Sequence, residues 1–385
     1  MRENAKPSLN WVNTSFLTLT PLLGFGGTVW LFLNHAILWP TLLLALFYAI
    51  ATGLGITAGY HRLFSHQTYE AAWPLRLFYA LFGLAAFEGS ILEWCADHRR
   101  HHRFVDTEKD PYNIRQGFWH AHIGWLLYHD PKQRNFSNVN DLKSDPIVRL
   151  QHRFNIPLAL GVGILAPTLL AGLWGDWVGG FFIAAMLRIT LAQHLTFCIN
   201  SVCHTFGKKT YSYEQTARDN WFTAFFTFGE GFHSFHHQFP GDFRNGIRLF
   251  DYDPTKWFIY TLSKMRITWG LRRVELKQII SAKLLCYEKY LSHPTECQKI
   301  KKYDANFFEP ARAKVLSLLT RADKTRRAYM QLKKDAHRLK NKYLRTYYLR
   351  QRIYRQYMKR QERALSLAMA HLTHVMKKRP VMISS

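Results

Sequence analysis

The sequence predicts an all-α integral membrane protein with four transmembrane helices in two hairpins and a helical cap on the cytosolic side. Two observations predict this fold. Four apolar runs each approach the length of about 20 residues that a helix needs to cross a bilayer. The short turns inside each pair carry no Lys or Arg, whereas the polar segments that follow each pair are rich in both.

Hydropathy assigns the four spans. The first hairpin comprises 11–32 and 37–59, and the second comprises 156–173 and 181–199. Arg188 falls inside the last span, where a charge is costly unless it faces the protein interior. We therefore expect Arg188 to pack inward.

Two segments between the hairpins have a different character. Segment 72–92 is apolar but is interrupted by proline, glycine and charged residues, which indicates an amphipathic helix or one at the membrane surface, with a fifth span as the alternative. Segment 98–119 is polar and contains turn-forming residues, and we expect a loop there.

The charge distribution orients the chain. Lys and Arg are concentrated in segments 61–154 and 205–385, and positively charged segments stay on the cytosolic side of a membrane. We therefore expect both termini to be cytosolic. Two domains follow from the hydropathy: a membrane domain, 1–282, and a basic C-terminal tail, 283–385.

The tail holds most of the excess charge. The whole chain has a formal charge of +26, and 21 Lys and Arg stand against 3 Asp and Glu between residues 312 and 379. Residues 315–376 indicate one or two basic helices without a sustained heptad. A solvated tail, a helix on anionic lipid and a docking segment for an acidic partner all remain open. Nucleic acid is not an expected partner, because the rest of the chain is membrane-embedded.

Three short histidine clusters are the strongest sign of chemistry. Two of them have the spacing i, i+3, i+4, which places three imidazoles on one helix face. The clusters are His61 and His66; His98, His101 and His102; and His233, His236 and His237. A lone histidine is usually a packed or surface residue, but three clusters on one side of a membrane indicate a site for a transition metal.

The first cluster departs from that spacing. His61 and His66 are five residues apart, or about 140° around an α-helix, so they cannot share a face of one regular helix. We expect His61 at the end of the second span and His66 beyond it.

Acidic residues accompany the clusters. Metal-bound imidazoles usually donate their second N–H to a carboxylate, which fixes the tautomer. The candidates for this supporting role, each of which could equally be a solvated charge, are Glu93, Asp97, Asp106, Asp110, Asp219 and Glu230.

These motifs carry a family resemblance over roughly residues 10–280. The order and spacing of Gly-Ile-Thr-Ala-Gly-Tyr-His-Arg-Leu-Phe-Ser-His at 55–66, Glu-Trp-Cys-Ala-Asp-His-Arg-Arg-His-His at 93–102, Asn-Ser-Val-Cys-His at 200–204 and Gly-Glu-Gly-Phe-His-Ser-Phe-His-His at 229–237 resemble the membrane-bound acyl-CoA delta-9, or stearoyl-CoA-type, desaturases. The Gly-Tyr before His61 and the lack of a long N-terminal arm look more like bacterial members, which implies the bacterial inner membrane.

The resemblance implies a di-iron site in the cap. In that family the eight clustered histidines bind two iron ions, a further histidine matched by His204 also binds, and an asparagine matched by Asn200 holds a metal-bound water. The implied reaction uses O2 and electrons to remove two hydrogens from a saturated acyl chain and leaves a cis double bond, at the delta-9 position. No catalytic residue is implied beyond the metal ligands.

The acyl carrier and the tunnel are further expectations. Basic residues could meet the phosphates of CoA, although Ala96 and Gln116 stand where animal members have basic residues, so acyl-lipid and acyl-carrier-protein substrates stay open. The headgroup candidates are Arg99, Arg100, Arg103, Lys109, Arg115 and Arg153. Small residues at Ala45, Ala49 and Gly53 could end the acyl tunnel or could serve only helix packing.

Electrons are expected from an external donor such as a ferredoxin, a cytochrome b5 or a reductase. The sequence has no His-Pro-Gly-Gly haem motif, no Gly-x-Gly-x-x-Gly and no iron–sulfur cysteine pattern, and its five cysteines lack C-x-x-C spacing. Two other functions remain: a histidine-box hydroxylase of alkyl or acyl chains, and a non-catalytic bis-histidine haem protein of the membrane.

Overall fold

The chain forms two compact units in a computed structural model that describes residues 8–129, 136–292, 305–336 and 344–377. The units are Met1–Arg273 and Val274–Ser385, and the boundary lies slightly before residue 282, where the sequence analysis divided the chain. The described residues are mostly helical and include four helices of membrane-spanning length and composition, which confirms the predicted fold class.

The first two long helices are joined by a short turn, and the first packs mainly against the π-helix Gly180–Leu187 of the fourth span. Helix α1, Trp11–Leu33, is capped by the side chain of Asn10, which accepts a hydrogen bond from the backbone N–H of Asn13 at 3.1 Å. Helix α2, Trp39–Leu54, continues without a break as a π-helix, Gly55–Ser65. The second span thus extends beyond its predicted end at residue 59. Every residue of the π-helix is buried, so protein rather than lipid surrounds its polar side chains.

Two helices follow where one helix and a loop were predicted. Helix α3, Trp73–Leu84, ends well before residue 92, and helix α4, Ile91–Phe104, occupies part of the expected loop. A capping box between Ser90 and Glu93 starts α4, because each side chain accepts a hydrogen bond from the other residue's backbone N–H. This local signal was present in the sequence and overrides the polar composition that suggested a loop.

Short elements connect α4 to the second hairpin. They comprise a 3₁₀-helix Ile114–Gln116, a π-helix His120–Gly124, α5 Trp125–Leu127, a 3₁₀-helix Phe136–Val139, α6 Asn140–Lys143 and α7 Pro146–Arg153.

The second pair of long helices is also interrupted by π-helical turns. The third span joins α8, Asn155–Leu160, through Gly161–Leu165 to α9, Ala166–Gly172. The fourth span runs through α10 Trp177–Gly179, a π-helix Gly180–Leu187 and α11 Arg188–Thr205.

Arg188 is buried, as predicted. Its guanidinium donates hydrogen bonds to the backbone carbonyls of Ala184, Ala85 and Gly163. These carbonyls satisfy the guanidinium inside a span, where lipid could not.

The remaining elements of the first unit complete the cap. Helices α12 Trp221–Phe226, α13 His233–Gln238 and α14 Pro254–Lys264 follow the fourth span. Two small antiparallel pairs tie distant segments together, Ser8–Leu9 with Tyr128–His129 and Glu70–Ala71 with Thr268–Trp269. The largest apolar core joins the π-helix of the second span to α3, α4 and α14.

The second unit has its own core. The unit consists of α15 Leu276–Ser292, α16 Ala305–Ala336 and α17 Leu344–Lys377. Residues 337–343, which belong to the tail helices predicted from the sequence, lie outside the described residues. The buried core side chains are Ile280, Leu284, Ala311, Val315, Leu319, Leu365, Ala368, Met369 and Leu372.

Candidate metal centre

All three histidine clusters and His204 meet in the first unit. The π-helical end of the second span carries His61, with His66 at its cap, and α4 carries the second cluster. Helix α13 carries the third, and His204 lies in the last turn of the fourth span rather than after it.

The nine histidines separate into two groups. The five-histidine group is His61, His66, His98, His102 and His236, and the four-histidine group is His101, His204, His233 and His237. In each group one ring nitrogen of every histidine lies within 4.8 Å of all the others. The clusters on α4 and α13 each contribute histidines to both groups, so the two groups are adjacent.

The nitrogens make more close contacts with one another than hydrogen bonds among neutral imidazoles can satisfy, since His236 Nε2 lies 2.9 Å from both His61 Nε2 and His102 Nε2. The Nε2 atoms of His66 and His98 are 2.8 Å apart, and those of His204 and His233 are 3.0 Å apart. Neutral imidazoles carry one proton each, so several lone pairs face one another. Ligands bonded to one metal ion at about 2.1 Å sit roughly 3 Å apart, which matches this spacing. Each group could therefore hold a metal ion.

The π-helix explains how His61 and His66 join one group. Its hydrogen bonds run from i+5 to i, and the His66 N–H donates to the His61 carbonyl at 3.1 Å. The two rings, which α-helical geometry would separate by about 140°, lie 5.0 Å apart between centroids. The expected placement of His61 is observed, but the expectation that the pair could not share a face holds only for an α-helix.

Two of the six candidate carboxylates contact an imidazole directly. His61 Nδ1 donates to Glu230 at 2.8 Å, and His101 Nδ1 donates to Asp110 at 2.8 Å. One pair lies in each group. These contacts fix the tautomer that leaves Nε2 free to bind a metal ion.

Glu230 is itself held by a buried ionic network. Its carboxylate accepts hydrogen bonds from Arg62 at 2.9 Å and from Asn245 at 2.7 Å, and Arg62 also pairs with Asp253 at 3.0 Å. Burial alone would raise the pKa of Glu230, but the adjoining His61 and Arg62 lower it to about 2. The carboxylate is therefore ionised and fixed in position.

Of the other four candidate carboxylates, one supports a histidine through an intervening hydroxyl, and three hold other parts of the structure. Asp106 accepts from the Thr216 hydroxyl, which lies 2.7 Å from His204 Nδ1. Asp219 accepts from the Ser234 N–H at 2.9 Å at the start of α13. Glu93 belongs to the capping box of α4, and Asp97 pairs with Arg100 at 3.0 Å.

Burial keeps six of the imidazoles outside the spans uncharged at neutral pH. Burial, followed by the neighbouring imidazoles, holds the pKa of His98 and His236 well below its usual value and lowers the pKa of His233 to about 3. The pKa values of His66, His102 and His237 are lowered for the same reasons. Neutral imidazoles are the form that binds metal ions.

A cavity of about 870 Å³ opens onto both groups. It touches His61 and His98 of the five-histidine group and His101 and His233 of the four-histidine group. Mainly apolar side chains of the spans line it. The sequence-predicted cavity residues Ala45, Ala49, Gly53 and Asn200 all lie on its wall.

The basic headgroup candidates divide by exposure. The Arg99 guanidinium is occupied by Asp141 at 2.7 Å and by the backbone carbonyls of Phe64 and Ser65, which removes it from the proposed set. Arg100 is partly buried beside Asp97. The side chains that remain exposed are Arg103, Lys109, Arg115 and Arg153.

Besides the residues that hold Glu230, sequence reasoning missed three residues that contact the histidines. Trp94 stacks on His98 with ring centroids 4.7 Å apart, and Tyr112 lies over His101 at 4.4 Å. Trp94 belongs to the 93–102 motif that carries the family resemblance, and Tyr112 lies two residues after the candidate Asp110, so both positions gave a signal. Thr216 gave none, because only the fold brings its hydroxyl to His204.

Comparison with known proteins places this geometry in a family. A model of the fatty acid desaturase family matches residues 37–256. The chain is 44% identical over 265 residues to a Schizosaccharomyces pombe protein named "Probable acyl-CoA desaturase", which covers 68% of the chain and 54% of that protein. It is 43% identical over 286 residues to "Acyl-CoA desaturase 1" of Saccharomyces cerevisiae, which covers 73% of the chain and 55% of that protein.

The chain thus spans about half the length of these two yeast relatives. An animal relative, "Stearoyl-CoA desaturase 5" of Bos taurus, is 38% identical over 250 residues, with 63% of the chain and 74% of that protein covered. The match to the family model covers more than half of the chain and includes every histidine of both groups. These findings confirm the predicted resemblance: the chain belongs to the fatty acid desaturase family.

Proposed function

We propose that the chain is an O2-dependent fatty acyl desaturase that introduces a cis double bond, at the delta-9 position, into a saturated acyl chain carried on CoA. The observation that carries the proposal is the apolar cavity that touches both histidine groups. Its volume lies in the range of about 300–1,000 Å³ that is typical of small-molecule sites. The names of the relatives favour acyl-CoA as the carrier and desaturation over hydroxylation.

Two iron ions are the proposed cofactors, one in each histidine group. Imidazole is a suitable ligand for iron, and the histidines of both groups are buried or half-buried and converge closely enough to share an ion. Asn200 is proposed to hold a metal-bound water, since it lies on the cavity wall four residues before His204. When bound, the iron pair would supply the oxidising chemistry that uses O2 and two electrons to remove two hydrogens, with water as the other product.

The residues of the chain would contribute by positioning the acyl chain beside the metal site. The spans hold the acyl chain in a dry cavity, and Trp94, which lines it and stacks on His98, borders the place where the reacting carbons would lie. A displacement of about 1 Å from the productive geometry would cost on the order of 100-fold in rate. Ala45, Ala49 and Gly53 are proposed to set the chain length, and Arg103, Lys109, Arg115 and Arg153 to meet the phosphates of the carrier.

We place the protein in a membrane with the metal centre and both termini facing the cytosol, because the two short turns lack basic residues. The fungal and animal relatives do not support the bacterial inner membrane predicted above, so the proposal is limited to a multi-pass protein of this orientation. Electrons are proposed to come from an external ferredoxin, cytochrome b5 or reductase.

Expression in a desaturase-deficient host tests the function. Mass spectrometry of the fatty acids should show a new cis monoenoic acid whose double bond is at carbon 9. His233→Gln should abolish it, and His371→Gln, at an exposed histidine of the second unit, should leave it unchanged. An alcohol without an alkene would replace desaturation by hydroxylation, and a Soret band without either product would indicate the haem alternative.

A further inference from the structure

The second unit lies outside the part of the chain that the family model matches. The match ends at residue 256, and the unit begins at Val274. Residues 274–385 contain 27 Lys and Arg against 8 Asp and Glu. Every histidine of both groups belongs to the first unit.

Helices α16 and α17 pack as an antiparallel pair. Ala311 and Val315 share a core with Leu365 and Leu372, and the Arg355 Nε donates to the Tyr329 hydroxyl at 3.2 Å towards the other end. Buried or half-buried positions recur on α17 at spacings of three and four: Gln351, Tyr354, Met358, Gln361, Leu365, Ala368 and Leu372. The heptad that the sequence analysis did not find is therefore present as a packing pattern, with polar residues in several of its positions.

Helix α17 has a second apolar stripe that this packing does not use. Leu349, Ile353 and Tyr357 recur every fourth residue, and Leu367 continues the stripe. Their exposures lie between 50% and 72%. We call the row of buried and half-buried residues from Gln351 to Leu372 the packed seam. At about 100° per residue, the stripe lies roughly a third of a turn around the helix from this seam.

Basic residues flank the stripe on both sides, and Arg360 lies within it between Tyr357 and Leu367. The exposed ones are Arg350, Arg352, Lys359, Arg360 and Arg363, with Glu362 as the one acidic residue among positions 347–374 of α17 that the structure describes. We call the stripe and these flanking residues the outer face of α17. A helix with an apolar stripe between Lys and Arg is typical of one that lies in the interface of an anionic bilayer.

We propose that the outer face of α17 binds the surface of an anionic bilayer. The first unit carries four helices of membrane-spanning length, so a bilayer is close to the second unit at high effective concentration. Phosphate and carboxylate headgroups would meet the Arg and Lys side chains, while the stripe would enter the boundary between headgroups and acyl chains. Charge alone would also suit an acidic protein or a nucleic acid, but the stripe gives the bilayer the better match.

Spin labels in the full-length chain test this proposal. Ile353→Cys carries a label on the outer face, and Leu316→Cys carries one at an exposed leucine of α16 as a matched control. The protein is reconstituted into nanodiscs of phosphatidylcholine, with or without 30% phosphatidylserine, and the unsubstituted chain gives the background from native cysteines. Collision with O2, which concentrates in the bilayer, is compared with collision with a water-soluble nickel chelate.

In anionic nanodiscs the label at 353 should become accessible to O2 and protected from nickel, and the label at 316 should not. The triple variant Arg350→Gln, Lys359→Gln and Arg360→Gln should weaken the bound state by about fivefold for each residue replaced. High salt should act in the same direction. These residues are exposed and lie outside the packed seam, so the fold of the pair is expected to persist.

Three results would overturn the proposal. The two labels could respond alike in both nanodiscs, or the label at 353 could stay exposed to nickel in anionic nanodiscs. In neutral nanodiscs, protection at 353 only after addition of an acidic redox protein or an RNA oligonucleotide would assign the face to that partner instead. None of these outcomes depends on desaturase activity.

Discussion

The two histidine groups consist of the same residue type but differ in the number of histidines and in the residues that hold those histidines in place. The five-histidine group receives two ligands from the end of the second span, and its His61 is fixed by Glu230 and the buried Arg62 network. The four-histidine group receives His204 from the fourth span, and its His101 is fixed by Asp110. The second group therefore has fewer histidines, and its support comes from two separate contacts, because the Thr216 hydroxyl held by Asp106 also lies beside His204.

This difference teaches how one site can hold two unequal metal ions. Five imidazoles nearly complete the coordination of an ion, whereas four leave a position for water or another ligand. Asn200, on the cavity wall one helical turn before His204, is near that group along the helix. We therefore expect the four-histidine group to lose its ion more easily.

The largest expected effect is loss of metal after removal of one ligand. His237→Ala leaves three histidines in the four-histidine group and should lower the metal content from about two ions per chain to about one. His102→Ala leaves four in the other group, as many as its neighbour normally has, and should retain both ions with weaker affinity. Elemental analysis of purified protein measures both. Equal losses in the two variants would break the comparison.

The supporting carboxylates give the next effect. Asp110→Asn and Glu230→Gln should each lower metal affinity by about 10–100-fold, because an imidazole loses its acceptor. Glu230→Gln should also destabilise the metal-free fold, by less than the about 3–5 kcal/mol of a fully uncompensated buried charge, because Arg62 loses one buried partner but keeps Asp253. Chelator competition and thermal unfolding separate the two effects, with Glu362→Gln as an exposed control. If Asp110→Asn and Glu230→Gln lower the unfolding temperature equally, the two supporting carboxylates are equivalent.

The cavity that joins the groups gives a smaller and more selective effect. Ala49→Trp places a large ring on its wall and should shift the products towards shorter acyl chains without removing metal. Leu42→Trp, on the same helix at an exposed position that does not line the cavity, is the matched control. An unchanged chain-length profile in Ala49→Trp would assign the small residues to helix packing alone.

The smallest effect is on the pH dependence of the metal-free chain. The pKa values of six imidazoles outside the spans are lowered by folding, so below about pH 6.5 the unfolded chain binds protons that the folded chain does not. Stability should therefore fall progressively as pH falls, down to about pH 3 for His233. Denaturant titrations between pH 7 and pH 5 measure this. A constant free energy of unfolding would contradict the burial of the two groups.

The sequence was a good guide wherever chemistry and spacing repeat. The spans follow from hydropathy and the α13 cluster from helical periodicity, whereas the segment that carries the α4 cluster was predicted as a loop. The pairing of His61 with His66 could not be predicted, because a π-helix is set by packing around Gly55–Ser65 and not by a local propensity. Glu230 and Asp110 could be named as candidates, but only the fold separates them from Glu93 and Asp97.

The second unit shows the opposite limit. Its packed seam includes Gln351, Tyr354 and Gln361, which do not read as core residues, so the heptad was hidden in the sequence. The heptad is visible only in the structure, where buried or half-buried residues of α17 alternate at spacings of three and four. Composition predicted the basic helices, and tertiary packing decides which of their faces remains available.

Anomalous diffraction at the iron edge from crystals of the iron-loaded chain tests the central claim most directly. The account predicts two iron peaks, one surrounded by His61, His66, His98, His102 and His236, and the other by His101, His204, His233 and His237. Occupancy of the second peak should fall first during mild chelation. A single peak, or iron bound away from these nitrogens, would contradict the assignment of two metal sites.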